Sequence, residues 1–289
     1  MKRVLITGAG SYIGTSLKNW LENWYEQYII DVLDMKDSNW KNYNFSQYDA
    51  VFHVAGIAHV DYKKMSSELQ KSYYSVNRDL TIETASIAKL SGVKQFIFMS
   101  SIIVYGTNKS LHENKIINKH TKPAPSNIYG DSKLQAEEGI LSLHSEDFKV
   151  VILRPPMIYG KGAKGNYPKL SKLARTCPIF PYIANQRSML HIDHLCEFIR
   201  YMVEYEEYGI FYPQNEEYTC TSELVKLISE IHNKRLKLTK IFNPLISILP
   251  VNIFNKVFGT VIYEKEMSKY QRNYNIHDFK ETIILTEKE

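Results

Sequence analysis

Cysteine is scarce in this chain. Among its 289 residues there are three, Cys177, Cys196 and Cys220, an odd number with no close pair. That argues against a disulfide framework or a cysteine-rich zinc module, and it fits a reducing, cytoplasmic setting. Charge of one sign is not gathered anywhere. Lys and Arg number 36 against 31 Asp and Glu, a formal excess of +5 spread along the chain. Such an excess suits an anionic small substrate and does not call for nucleic acid as a partner. Long hydrophobic runs are also missing. The opening Val4-Leu5-Ile6 is too short for a signal peptide and ends in a turn signal. The most apolar stretch, Ile241 to Tyr263, carries Asn243, Pro244, Pro250, Asn252, Asn255 and Lys256. These are costly in lipid, so the stretch reads as a packed surface helix pair and not as a membrane span.

What is present is an ordinary globular composition, 44% hydrophobic and 23% charged, enough for a large core. Short buried runs at Val4–Ile6, Tyr28–Leu33, Ala50–Val54, Gln95–Met99 and Val150–Leu153 read as strands. They alternate with helical spacing at Ser11–Trp24, Leu80–Leu90 and Ile128–Leu143. This alternation indicates an α/β fold with a Rossmann-type doubly wound parallel sheet covered on both faces. After Arg154-Pro155-Pro156 the segments shorten. We expect residues 1–155 and about 187–212 to form the dinucleotide-binding domain. Residues 156–186 and 213–289 would then form a smaller, mainly helical substrate domain.

The first strand runs into Thr7-Gly8-Ala9-Gly10-Ser11-Tyr12-Ile13-Gly14 and then a helix. Glycine lets the backbone turn sharply and come close to a phosphate. The helix start offers N–H groups and a partial positive charge to a pyrophosphate. The placement on strand, turn and helix makes this a dinucleotide site. Asp34, after the second strand, is placed for the adenosine ribose and would favour NAD(H). Lys36, two residues on, would instead hold the 2′-phosphate of NADP(H). The sequence leaves both open.

Tyr129-Gly130-Asp131-Ser132-Lys133 opens a predicted helix, and a spacing of four puts Tyr129 and Lys133 on one face. Ionising a tyrosine of pKa about 10 at pH 7 costs about 4 kcal/mol. A neighbouring ammonium offsets much of that, so Tyr129 can exchange a proton with a sugar oxygen. Ser101 ends a buried strand on the carboxyl side of the sheet, where such folds place their chemistry, and can donate a hydrogen bond to the reacting oxygen.

With these residues in view the chain resembles the extended short-chain dehydrogenase/reductase family. The resemblance runs through the glycine turn, Asp49-Ala50-Val51-Phe52-His53-Val54-Ala55-Gly56 and Ser75-Val76-Asn77. It continues through Ser100 to Gly106, the Tyr129/Lys133 pair, Leu153 to Gly160 and Arg187 to Leu195. It implies that Tyr129 is the acid/base, Lys133 its partner and ribose ligand, Ser101 the catalytic hydroxyl and Asn77 the active-site asparagine. It places Gly8, Gly10, Ser11, Tyr12, Ile13, Gly14, Ala55, Gly56 and Pro156 at the cofactor. Arg187 would grip a nucleotide diphosphate, and Asn166 would touch the substrate. Ser11 stands where the family usually has glycine. Met157 stands where epimerases and dehydratases usually have a substrate-binding asparagine. Its run, Arg-Pro-Pro-Met-Ile-Tyr-Gly, looks more like bacterial capsule and O-antigen sugar 4-ketoreductases.

The resemblance thus implies reduction of a 4-keto-6-deoxy, UDP-linked N-acetylhexosamine in the cytoplasm, by a homodimer, for surface-polysaccharide synthesis. A 4-epimerase that retains its NAD is the alternative enzyme. A non-catalytic dinucleotide-sensing or scaffold protein is the alternative of another class, and a sensor has no need of an ionisable tyrosine. His191 and His194 are three apart but lack a completing ligand set, so no metal is expected. His53 ends a strand beside the expected cofactor, where packing against the nicotinamide side and a part in the chemistry are both open. Lys161, Lys164, Lys169, Lys172 and Arg175 read as a solvated face.

Overall fold

Lys2–Thr7 (β1) lies in the middle of a parallel sheet because its side chains from Val4 onward are wholly buried. The computed structural model describes residues 1–58, 66–108, 113–241, 243 and 257–288. Most of the Ile241–Tyr263 stretch, and with it the helix pair expected there, lies outside the described residues. Among the described residues no helix is long and apolar enough to cross a membrane.

Six parallel strands form the main sheet: β1, Tyr28–Leu33 (β2), Ala50–His53 (β3), Gln95–Met99 (β4), Lys149–Leu153 (β6) and Gly209–Phe211 (β10). Their order is β10-β6-β4-β3-β1-β2. The chain moves outward from β1 to β2, then returns to place β3 on β1's other side. This reversal opens a crevice at the carboxyl ends of β1 and β3, where a doubly wound sheet binds its ligand. The residues after β1 and β3 are the glycine turn and Val54-Ala55-Gly56, so the topology alone brings these motifs together.

Helices Tyr12–Leu21 (α1), Ser67–Tyr74 (α2), Leu80–Leu90 (α3) and Ile128–Leu141 (α4) accompany this sheet. Between α2 and α3 the backbone makes a π-turn over Ser75–Asp79. One face of the sheet packs Leu5, Val51, Phe96, Phe98, Val150 and Ile152 with Ala85, Ala88, Ala136 and Ile140 from α3 and α4. Small residues on the helices let them lie close to the strands.

The chain divides into two compact units. The first comprises Met1–Gly106, Lys122–Pro155 and Leu195–Pro213; the second comprises Thr107–Thr121, Pro156–His194 and Gln214–Glu289. Two segments differ from the sequence-based division. Residues 107–121 join the second unit because Asn114–Ile117 (β5) pairs with Thr260–Tyr263 (β12). Residues 187–194 join it because Met189–His191 (β9) pairs with Met157–Tyr159 (β7), while Arg187 exchanges backbone hydrogen bonds with Thr219 at 3.0 and 2.9 Å. These partners are more than twenty residues apart in sequence, which local patterning does not reveal. The second unit carries Tyr167–Thr176 (α5), Thr221–Ile231 (α7) and Phe279–Glu287 (α8). A third parallel pair, Ile179–Pro181 (β8) with Lys237–Thr239 (β11), completes its strands.

Candidate active site

The turn after β1 is shaped by two glycines at positive φ, Gly8 at 103° and Gly10 at 70°. A Cβ on Gly8 would lie 2.9 Å from the Ala55 nitrogen and 3.0 Å from its Cα. The turn therefore touches the end of β3 at a distance only glycine permits. Gly10 has nothing within 4 Å of where its Cβ would be. Tyr12 and Ile13 open α1, and Ser11 caps it, its Oγ accepting from the Gly14 amide at 3.2 Å. A Cβ on Gly14 would lie 2.6 Å from that oxygen. Ser11 thus has a local role that glycine cannot fill: its side chain satisfies one of the amides a helix start leaves unpaired.

The Gly8 and Ala9 amides donate to the Leu33 carbonyl at 3.0 and 3.4 Å. This holds the end of β2, and with it Asp34, against the turn. Asp34 is exposed, and its Oδ1 accepts from the Lys36 amide at 3.0 Å. The positive-φ turn, the helix start, the open side at Gly10 and the carboxylate at the next strand end together fit a dinucleotide.

The second cluster is built on α4. Asn127 caps the helix, its Oδ1 accepting from the Gly130 amide at 2.9 Å. Gly130 is required for another reason: its Cβ would lie 2.8 Å from the Ile103 carbonyl oxygen and 3.1 Å from Pro125 Cβ. The first turn of α4, carrying Tyr129, therefore lies directly on the segment that follows Ser101. Ser101 caps a 3-10 turn over Ile102–Tyr105, with Oγ accepting from the Ile103 amide at 3.3 Å. The Tyr129 ring is 6.3 Å from that of Tyr73.

One turn along α4, Lys133 is 4% exposed. Its Nζ donates to the Met99 carbonyl at 2.9 Å and lies 4.5 Å from the Phe98 ring centroid. A Cβ on Gly56 would be 3.3 Å from this Nζ and 3.0 Å from Asn77 Oδ1. Gly56, Asn77 and Lys133 are thus gathered at the end of β3. Asn77 sits in the π-turn, wholly buried. Its Oδ1 accepts from the Ile57 amide at 2.8 Å, and its Nδ2 donates to the Ile57 carbonyl at 3.0 Å and Ser132 Oγ at 3.1 Å. Ser132 in turn donates to the Tyr129 carbonyl at 2.9 Å. Asn77 therefore ties the loop after β3 to the helix that carries Tyr129 and Lys133.

Burial lowers the Lys133 pKa to about 8, against a smaller opposing pull from the Glu137 carboxylate. Burial, aided by the Lys133 charge, lowers His53 to about 3, so this histidine is neutral at physiological pH. Thr81 Oγ1 donates to the Asn77 carbonyl at 2.9 Å and stands 3.1 Å from His53 Nε2; Thr7 Oγ1 stands 2.7 Å from His53 Nδ1. One hydroxyl proton per threonine assigns the tautomer: Nε2–H donates to Thr81, and Thr7 donates to Nδ1. His53 links the strand before the glycine turn to the π-turn of Asn77.

Pro156, Asn166 and Arg187 belong to the second unit. Pro156 is buried just before β7. Asn166 is exposed ahead of α5, and its carbonyl accepts from the Lys169 and Leu170 amides, both at 3.2 Å. Arg187 lies with Nη1 3.5 Å from the Val257 and Gly259 carbonyls, and burial lowers its pKa. Met157 is half-buried against the apolar core of this unit. His191 and His194 are held by Asn215, whose Oδ1 accepts from the His191 amide at 2.9 Å and stands 3.0 Å from His194 Nδ1.

Sequence reasoning did not single out Gly130, Ser132, Glu137 or the His53 bonds. Glu137 had a visible signal, since it stands four residues past Lys133 on the same helix face. The close approach at Gly130 and the hydroxyl partners of His53 arise between distant segments and left none.

The chain was also compared with known proteins for family and fold. The model of the NAD dependent epimerase/dehydratase family matches residues 4–212. A UDP-glucose 4-epimerase of Vibrio cholerae is 29% identical over 247 residues, 78% of this chain and 74% of that protein. For two further curated relatives the chain spans 63% and 58% of their length. Among solved structures, a UDP-glucuronic acid 4-epimerase of Bacillus cereus in complex with NAD superposes with a TM-score of 0.73 at 16% identity, covering 99% and 97% of the two chains. A dTDP-4-dehydrorhamnose reductase of Bacillus anthracis in complex with NADP gives 0.71 at 20% identity, covering 99% and 98%. At such identities the structures speak for the fold, and the matched model covers more than half the chain: it belongs to the NAD dependent epimerase/dehydratase family.

Proposed function

We propose that this protein reduces the C4 ketone of a 4-keto-6-deoxy nucleotide sugar, of the UDP-N-acetylhexosamine type, with NAD(P)H. The observation that carries this reading is the α4 cluster: a buried ammonium, Lys133, anchored on the end of β4 one turn from Tyr129 and beside Asn77 and Gly56. Such a group has one plain use at the carboxyl edge of a doubly wound sheet, to support a tyrosine that gives up and regains a proton.

The nicotinamide supplies the hydride when bound. Tyr129 gives its proton to the O4 oxygen as the ketone becomes an alcohol, and Ser101 donates a hydrogen bond to the same oxygen. Lys133 has three N–H donors and one protein acceptor, leaving donors for the cofactor ribose and for the charge left on Tyr129. The glycine turn and α1 hold the pyrophosphate, with Asp34 or Lys36 at the adenosine end. Arg187 takes the diphosphate of the sugar nucleotide, and Asn166 contacts the sugar. Met157 offers no hydrogen bond where an epimerase of the family usually has asparagine, which favours the reductase.

A second reading, a UDP-sugar 4-epimerase that keeps its NAD, is favoured by the relative at 29% identity, itself a UDP-glucose 4-epimerase. Absorbance at 340 nm separates the two. Consumption of NADPH or NADH in step with a UDP-4-keto-6-deoxy-N-acetylhexosamine supports the reductase. No consumption, with bound NAD recovered from the protein, overturns it in favour of the epimerase. We place the enzyme in the cytoplasm as a homodimer joined through α3 and α4, serving surface-polysaccharide synthesis; a monomeric mass in solution contradicts the dimer.

A further inference from the structure

Further along the same face of α4 lies a group of charges that the proposed reaction does not use. Glu137 is one turn beyond Lys133 and two beyond Tyr129. It is 1% exposed yet carries a carboxylate. Arg154, at 5% exposed, donates to it through Nε at 3.1 Å to both oxygens and through Nη2 at 2.5 Å. Burial would lower the Arg154 pKa, and the Glu137 carboxylate outweighs it, so the guanidinium is held charged. Arg154 Nη1 also donates to Tyr105 OH at 2.8 Å. The Ser100 hydroxyl donates a short hydrogen bond to Glu137.

Met99, Ser100 and Ser101 are consecutive at the end of β4. Met99 is tied to Lys133 through its carbonyl, Ser100 is tied to Glu137 through its hydroxyl, and Ser101 is the proposed catalytic hydroxyl. Two successive turns of α4 are thus bolted to Met99, the last residue of β4, and to Ser100, which follows it. A buried ion pair of this kind is a poor source of net stability compared with apolar packing. Its value here lies in what it does to its neighbours.

We propose that Glu137, with Arg154 and Ser100 behind it, is a positioning residue: it sets the register of the end of β4 against α4, and its carboxylate, held by Arg154 and Ser100, supports the Lys133 ammonium. The inference rests on the reading of Lys133 as a group that must be charged. Tyr129 stands one turn before Lys133 on its own helix and Glu137 one turn after; Asp131, in the same first turn, is bonded to Tyr74 OH and Gln135 Nε2, and His53 at the end of β3 is neutral. The Glu137 carboxylate favours the charged form of Lys133, and Arg154, paired with that carboxylate, tempers it. Removing Glu137 and removing Arg154 must therefore act on Lys133 in opposite directions, which a merely structural pair would not do.

The test is NADPH binding, followed by cofactor fluorescence against pH with no sugar present, on the wild type and on Glu137→Gln, Arg154→Met and the double variant. The wild-type protein loses affinity as pH rises through about 8. Glu137→Gln moves that midpoint down by roughly one pH unit, and Arg154→Met moves it up. If Glu137→Gln fails to fold, the double variant, which leaves no unpaired guanidinium, must still titrate below Arg154→Met. Ser100→Ala cuts only the tie to β4; it lowers kcat about tenfold through misplacement and leaves the midpoint unchanged. Coincident midpoints, or shifts of both single variants in one direction, overturn the proposal. Absence of ketoreductase turnover in a wild type with the expected binding profile would instead sink the reductase reading and leave this inference standing.

Discussion

Alanine at Gly8 and alanine at Gly10 should damage this protein in two separable ways. At Gly8 the backbone has φ 103°, outside the region that side-chain-bearing residues adopt readily, a strain of about 1–3 kcal/mol. The new Cβ would also sit 2.9 and 3.0 Å from backbone atoms of Ala55 and 3.3 Å from the Val54 carbonyl carbon. None of these is a flexible side-chain end, so the strands must part, at a further cost of about 1–3 kcal/mol. At Gly10, φ is 70° and nothing lies within 4 Å, which leaves a backbone cost of about 1–2 kcal/mol. For a protein of this size 1 kcal/mol lowers the melting temperature by about 2–4 °C. Gly8→Ala should then melt roughly 4–24 °C below the wild type and Gly10→Ala roughly 2–8 °C below. The open side of Gly10 is where we place the pyrophosphate, so Gly10→Ala should weaken NADPH binding by more than tenfold despite its milder melt. Differential scanning fluorimetry and fluorescence titration read the two quantities. Equal melting temperatures would refute the close approach at Ala55, and unaltered cofactor affinity in Gly10→Ala would refute the placement of the phosphates.

Three further outcomes follow from the same geometry. Tyr129→Phe should lose at least about 100-fold in kcat, the scale of a positioned proton donor, while binding NADPH as the wild type does; turnover near the wild-type level would remove Tyr129 from the mechanism. Lys133 has a folded pKa of about 8 against an ordinary lysine value of 10.5. The unfolded chain therefore binds more protons between these values, and the penalty for burying the ammonium, full below about 8, is relieved as pH rises toward 10.5. Stability from this group should rise across that window even as kcat/KM falls above about 8; Lys133→Met should abolish both trends in denaturant melts and rate profiles. His53, at about 3 against 6.5, has a consequence of the same sign at lower pH. The unfolded histidine takes up a proton that the folded one refuses, so its contribution is lost as pH falls from 6.5 toward 3. A His53→Gln variant should show a shallower acid limb in the same melts.

Much of the first unit was legible because its signals are local. A buried run ending in glycines, a polar cap and helical spacing specify β1 and α1 within about twenty residues. The Tyr129–Lys133 spacing holds in α4 because both lie on one uninterrupted helix. What stayed hidden depends on contacts between distant segments. The helix expected at Leu80–Leu90 is preceded by α2 and a π-turn, which no period of 3.6 announces. The π-turn places Asn77 where its amide can hold both the N–H and the carbonyl of Ile57. The sequence marks Ser11 as a departure from the family's glycine, but not that its hydroxyl accepts from the Gly14 amide. The sequence-based division begins the second segment of the first domain at about residue 187, whereas the backbone of Arg187 bridges Thr219 and Val261 in the second unit.

The central claim is that a hydride reaches C4 of the sugar while Tyr129 supplies the proton. It is tested most directly with NADPH deuterated at the transferring position and a UDP-4-keto-6-deoxy-N-acetylhexosamine, the product being read by proton NMR. The account predicts one deuterium at C4 per cofactor oxidised, and loss of that transfer in Tyr129→Phe. A product without deuterium at C4, or transfer that continues undiminished in Tyr129→Phe, would contradict it.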